Sequence, residues 1–179
     1  MTDVVIRPFA PQYAGEVRAL FVVINRLLSP PHMREAFEAY IERSLTEEIG
    51  RIDAYYSERD GGFWVALQGN KVVGMFGLER VGPESLELRR MYVDPSVRRG
   101  GIARRMLHHA EAECRRRRIR RLELSTSELQ EAALGLYRSE GYTLTREETA
   151  VDASNKTVGA GINRYYFEKV LQGLPPKSQ

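Results

Sequence analysis

The 179-residue sequence predicts one α/β domain, and three observations carry that reading. The segment "GGFWVALQGNKVVGMFGLER" holds two β-rich runs around the turn pair Gly69-Asn70, the pattern of an antiparallel hairpin. Residues 86–126 run strand, amphipathic helix, strand, and a helical crossover favours parallel pairing of the two strands it joins. Two further amphipathic helical stretches precede the hairpin.

In chain order, "DVVIRPF" (3–9) reads as a short first strand stopped at Pro8. From 14 to 28, Val17, Leu20, Phe21, Ile24 and Leu28 keep helical spacing. "SPP" at 29–31 breaks the chain before a second helix carrying Phe37, Tyr40, Ile41 and Leu45. After the hairpin, the strand at 86–93 places apolar residues at 86, 88, 91 and 93, so its alternation slips by one. Two readings fit the slip: a β-bulge near 89–90, or a central strand buried on both faces. Ile102, Ala103, Met106, Leu107, Ala110 and Cys114 form the stripe of the next helix, and "RLELST" (121–126) is the following strand. Ser127 with Gln130 predicts a capping box for a helix carrying Leu129, Ala132, Ala133, Leu136 and Tyr137. Gly141 suits its C-terminal stop. Strands near 142–149 and 162–170 complete a domain over 1–172, with 173–179 as a tail.

Composition is ordinary for a globular protein: 42% hydrophobic, 28% charged, formal net charge +3. That charge does not by itself argue for nucleic acid. Cys114 is the only cysteine, which excludes an intrachain disulfide and multi-thiolate metal sites. Neither a secretory leader nor an apolar run of the ~18 residues needed for a membrane helix is visible. A cytoplasmic, reduced location without membrane contact is the simplest reading. His108 and His109 are adjacent on a helix and His32 is distant, so no metal site is expected.

The loop between 93 and 107, "VDPSVRRGGIARRML", invites an anion. Gly100 and Gly101 let backbone amides approach a ligand, and a helix N-terminus adds unpaired N–H donors and the dipole. Arg98, Arg99 and Arg104 add positive charge nearby. It has neither the Lys-Ser/Thr of a Walker A loop nor GxGxxG, and by spacing alone an ordinary strand-to-helix turn fits equally well.

Arg98-Arg99-Gly100-Gly101-Ile102-Ala103 resembles the Q/R-x-x-G-x-G/A signature of GCN5-related N-acetyltransferases (GNAT). "ELRRMYVDP" before it, "LELSTS" after the helix and "AALGLYRSEGY" at 132–142 are similar to that family's segments, in its order. The resemblance is strong over 86–142, weaker at 63–80 and weak before 60. It implies the GNAT fold: a central mixed, strongly twisted β-sheet flanked by helices and splayed between strands 4 (86–93) and 5 (121–126). It implies an acyltransferase that uses acetyl-CoA as acetyl donor, without a metal. The loop amides from Arg99 to Arg104 would then cradle the pyrophosphate, and Met91, Tyr92 and Val93 would border the pantetheine arm. Gln130 stands where many members have an asparagine facing that arm, and its longer amide weakens the match.

The chemistry implied needs a base for the amine and an acid for the departing thiolate. Glu87 matches a glutamate that serves as base in some members; a solvated strand carboxylate, or one paired with Arg89, is the competing reading, and Glu79, Glu123 or a water chain are alternatives. Tyr137 corresponds to the tyrosine that protonates the thiolate, against plain core packing, and a strand-4 amide would polarise the carbonyl. Arg138 is a further candidate for a coenzyme phosphate. The acceptor, a small-molecule or peptide amine, would be shaped by the first two helices and "VDASNKTVGAGINRYY", where Phe37, Tyr40, Tyr55, Tyr56, Tyr165 and Tyr166 either line a pocket or pack the core. Competing functions are a non-catalytic coenzyme A sensor and nucleic-acid binding through "CRRRRIRR" (114–121), a run that reads more simply as the solvated end of a helix. A homodimer is compatible with all of this.

Overall fold

Seven strands in the order β1-β2-β3-β4-β5-β7-β6 form one mixed sheet in the computed structural model, which describes residues 3–97 and 99–171. The chain runs β1 (Val4–Pro8), α1 (Ala14–Leu28), α2 (Arg34–Glu47), α3 (Ile52–Glu58), β2 (Gly62–Gln68), β3 (Lys71–Gly82) and β4 (Ser85–Val93). It continues through α4 (Ile102–Arg116), β5 (Arg121–Ser127), α5 (Glu131–Ser139), β6 (Thr143–Ala150) and β7 (Ile162–Val170). Among the described residues only β4 and β5 pair in parallel, as the helical crossover dictates; every other ladder is antiparallel. The expected GNAT arrangement is therefore present, with strands 4 and 5 where the sequence places them. The expected tail, 173–179, lies outside the described residues.

Alternation along β2 to β5 sorts side chains onto two faces and so builds two cores. α1–α3 cover one face, packing Val17, Phe21, Ile24 and Ile41 against Val65, Val72 and Met75. α4 covers the other, setting Met106, Leu107 and Ala110 against Phe76, Leu78, Leu86 and Leu122. Cys114 is fully buried in this second core.

The slip in β4 is a bulge. Pairing with β3 jumps from Gly77↔Arg89 to Met75↔Tyr92, so three residues of β4 span two of β3. Arg90 takes up the extra residue at φ 56. Leu86, Leu88, Met91 and Val93 consequently all pack in the α4-side core, which is why the apolar spacing shifted.

Two expectations fail locally. α3 has no counterpart in the sequence reading: it is seven residues long, and its N-cap Arg51 makes no side-chain cap. The Ser127–Gln130 capping box does not form. β5 runs through Ser127, α5 begins at Glu131, and the Ser127 hydroxyl accepts from the Leu129 amide at 3.3 Å. The pair is a strand-end turn because Ser127 is held in register opposite Arg164 of β7.

Candidate active site

The parallel ladder between β4 and β5 stops at Leu88↔Leu124, although β4 continues to Val93 and β5 to Ser127. The bulge begins at the next residue, so the two strands part where β4 changes course. Beyond that point β4 has no strand partner on its β5 side among the described residues, and the gap opens into a cleft of about 870 Å³.

Most of the expected cofactor residues meet in this cleft. Met91, Tyr92 and Val93 line it from β4, Arg99, Gly101, Ile102, Ala103 and Arg104 from the loop and α4, and Gln130 and Tyr137 from the α5 side. Gly100 belongs to the same loop but is not among the lining residues, and Arg98 lies outside the described residues. Gly101 is the N-cap of α4 at φ 73, with no atom within 4 Å of the point where a Cβ would stand. Helix α4 has no side-chain cap, which leaves first-turn N–H groups without an intrahelical acceptor at the cleft. The Arg104 guanidinium is paired with Glu140, which also contacts His108 Nε2 at 2.6 Å. Gln130 accepts a hydrogen bond from Thr126 Oγ1 at 2.9 Å. Arg138 does not line the cleft; its guanidinium lies 6.0 Å from the Phe167 ring centre.

A second cavity, about 80 Å³, adjoins the first, and Met91, Tyr92, Gln130 and Tyr137 line both. Glu87 and Tyr137 share its wall. Glu87 Oε1 lies 3.2 Å from Lys156 Nζ and 3.6 Å from Arg89 Nη1, so the ion-paired reading of this carboxylate describes its present contacts. Tyr137 is 5% exposed, and burial, then the nearby Tyr92 phenol, push its pKa above the ordinary tyrosine value. Its hydroxyl therefore keeps its proton throughout the neutral range. Neither Glu79 nor Glu123 reaches this cavity, and Glu79 accepts instead from Tyr55 Oη at 3.1 Å.

Beneath the small cavity lies a buried charge cluster that no motif announces. The bulge sends the consecutive Arg89 and Arg90 to one acceptor, the fully buried Glu48 at the end of α2. Arg89 Nη2 donates to Glu48 Oε1 at 2.6 Å, Arg90 Nε to Oε2 at 2.9 Å, and Tyr56 Oη to Oε2 at 2.7 Å. Tyr56 fits only because residue 77 is glycine, where a Cβ would stand 2.6 Å from its ring. Burial pushes the Glu48 pKa up, but Arg90 and Arg89 outweigh it and hold the carboxyl below the usual range. The carbonyl of Asn155, on the β6–β7 loop, accepts from both arginines and ties that loop over the cavity. Of the aromatic candidates for an acceptor wall, Tyr40 lines this cavity; Tyr55 and Tyr56 serve the charge cluster, and Phe37, Tyr165 and Tyr166 do not line it.

Elsewhere, the arginine run is largely neutralised within the chain. Arg116 and Arg117 hold Glu113, whose pKa falls to about 2, while Arg120 lies by Glu84 and Arg121 by Glu168. No helix among the described residues is long and apolar enough to cross a membrane.

The site of this α/β protein is thus a sheet split beside a glycine-opened helix, with a small charged cavity adjoining the split. The chain belongs to the acetyltransferase (GNAT) family, whose sequence model matches residues 25–142. It is 31% identical over 118 residues to N-acetyltransferase 8 of Homo sapiens, covering 63% of this chain and 52% of that protein. The chain thus spans about half the length of that relative. Its fold is shared with a GNAT-family acetyltransferase from Staphylococcus aureus Mu50 (TM-score 0.73, 20% identity, covering 95% of this chain and 100% of that one). It is shared equally with the PaiA N-acetyltransferase of Thermoplasma acidophilum in complex with coenzyme A (TM-score 0.70, 18% identity, covering 94% and 99%).

Proposed function

We propose that the protein is an N-acetyltransferase that moves an acetyl group directly from acetyl-CoA to a primary amine. The observation that carries this reading is the cleft itself, which joins an uncapped helix N-terminus to a cavity shared by Glu87 and Tyr137. The open space at Gly101 and the unpaired edge of β4 fit a long anionic cofactor, as does the coenzyme A complex of the Thermoplasma relative.

Acetyl-CoA supplies an acyl group already activated as a thioester. On this reading the amides of residues 99–104 bind the pyrophosphate, and β4 from Met91 to Val93 orients the arm. Arg104 contributes its amide rather than its guanidinium, which Glu140 holds. Glu87 takes the proton from the acceptor amine, and Tyr137 holds a proton at Oη for the departing sulfur. Direct transfer is favoured because Cys114, the one cysteine, is buried away from both cavities, and burial pushes its thiol up to about 12.

The test is thiol release from acetyl-CoA across a panel of primary amines, beside acetyl-CoA binding by calorimetry. Tyr137→Phe and Glu87→Gln are each expected to lower kcat about 100-fold while the acetyl-CoA Kd moves less than about twofold. Binding without turnover of any amine, with both variants indistinguishable from the parent protein, would make the chain a coenzyme A sensor instead.

A further inference from the structure

We infer that the acceptor is a small zwitterion of the amino-acid class, whose carboxylate is read by Arg164 and Lys156; this rests on the acetyltransferase reading above. The small cavity has a one-sided charge. Arg89, Arg90, Lys156 and Arg164 line it, against a single carboxylate, Glu87.

The four cations are not equivalent. Arg89 and Arg90 are committed to Glu48, and Arg89 Nη1 also lies 3.2 Å from Glu79 Oε2. Lys156 is held by Glu87. Arg164 donates from Nη2 to Ser125 Oγ at 2.8 Å and forms no ion pair among the described residues. In addition, Arg89 Nε and Nη1 are buried without an aligned hydrogen-bond acceptor, on a side chain only 5% exposed. Those Arg89 atoms are too buried to meet a ligand, so Arg164 is the cation on this wall with no carboxylate partner among the described residues, beside the carboxylate proposed as base.

An amine entering this space meets Lys156 within 3.2 Å of the group that must take its proton. A purely cationic acceptor, such as a polyamine or a lysine side chain, adds positive charge beside Arg164, which has no carboxylate to offset it among the described residues. An acceptor that carries its own carboxylate beside the amine supplies the missing negative charge and satisfies the fork of Arg164. It also offers Lys156 a second anion, loosening its hold on Glu87. Size agrees: a cavity of about 80 Å³ admits a few non-hydrogen atoms, enough for an amine and a carboxylate on one carbon, with the remainder left at the mouth.

The experiment compares the common L-amino acids with their α-amides and their decarboxylated amines as acceptors, in turnover and in calorimetric binding to the coenzyme A-loaded protein. The expected result is a preference of about tenfold or more in kcat/KM for at least one free amino acid over its amide and amine. Arg164→Gln is expected to raise KM for that amino acid about tenfold and bring the acid-to-amide ratio toward one, with an unchanged acetyl-CoA Kd. Arg164→Lys should restore part of the preference, which a merely structural arginine would not do. Amides, decarboxylated amines or acidic peptides preferred over every free amino acid would overturn the inference, as would failure of every amino acid to bind. If coenzyme A itself does not bind, the acetyltransferase reading falls and takes the inference with it; if it binds and acylates amines without regard to the carboxylate, only the inference falls.

Discussion

The two halves of the split are built from opposite materials. The large cleft combines backbone features, an unpaired strand edge, an uncapped helix start and a glycine at φ 73, with largely apolar side chains of α1, β4, α4 and α5. The small cavity is made of side chains, charged and, Arg164 apart, ion-paired, gathered mainly from α2, β4, the β6–β7 loop and β7. A backbone site tolerates any sequence that keeps the turn, so it suits a ligand that never changes. A side-chain site is rewritten by a few substitutions, so it suits a ligand that differs between relatives. The bulge at Arg90 serves both, opening the sheet on one side and aiming two arginines into the other.

The contrast breaks most severely at Glu48. Replacing it with Gln leaves Arg89 and Arg90 buried with their shared counter-charge removed, and costs about 3–5 kcal/mol in urea unfolding. A loss below about 1 kcal/mol would show that the cluster is not what holds this side of the fold. The pH dependence has a definite sign. The folded pKa of Glu48 is lowered, so its contribution is complete above the unfolded carboxylate value of about 4.3 and drains away as pH falls through the lower folded value. Glu48→Gln should lack that acid-side component.

Legibility in the sequence follows the same division. The cleft is mostly local: apart from Ile24 and Leu28 of α1, its lining lies between 91 and 137, and the bulge beside it betrays itself as a phase slip in apolar residues. The cavity is not. Glu48 stands 41 residues before Arg89 in an unremarkable helix end, and Asn155, Lys156 and Arg164 lie in a segment with no motif. Two adjacent arginines within a strand were the available hint, since burying both demands a carboxylate that periodicity cannot locate. α3 escaped for a different reason, being too short and uncapped to separate from a loop.

On the backbone side, Gly101→Glu places an L-residue at φ 73 and an anion at the proposed pyrophosphate cradle. The acetyl-CoA Kd is expected to rise about thirtyfold or more, read by calorimetry. Gly101→Ala separates the two causes. There is open space for the methyl group, so only backbone strain remains, and the loss should stay below about tenfold. Equal losses in both variants would mean that loop geometry alone, not charge, governs binding.

The finest test of the contrast is Lys156. Its side chain is 45% exposed and meets Glu87 at 3.2 Å, while the neighbouring Asn155 carbonyl, not Lys156, anchors the loop to Arg89 and Arg90. An exposed pair of this kind contributes little to folding, so Lys156→Gln should change unfolding free energy by less than about 1 kcal/mol. The acetyl-CoA Kd should not move, because Lys156 does not line the large cleft. The acceptor KM should rise about two- to threefold, and its dependence on salt should weaken, because one screened attraction has been removed. A shift in the acetyl-CoA Kd as large as that in acceptor KM would break the comparison, since the two cavities would then be one electrostatic site rather than a backbone cradle joined to a side-chain pocket.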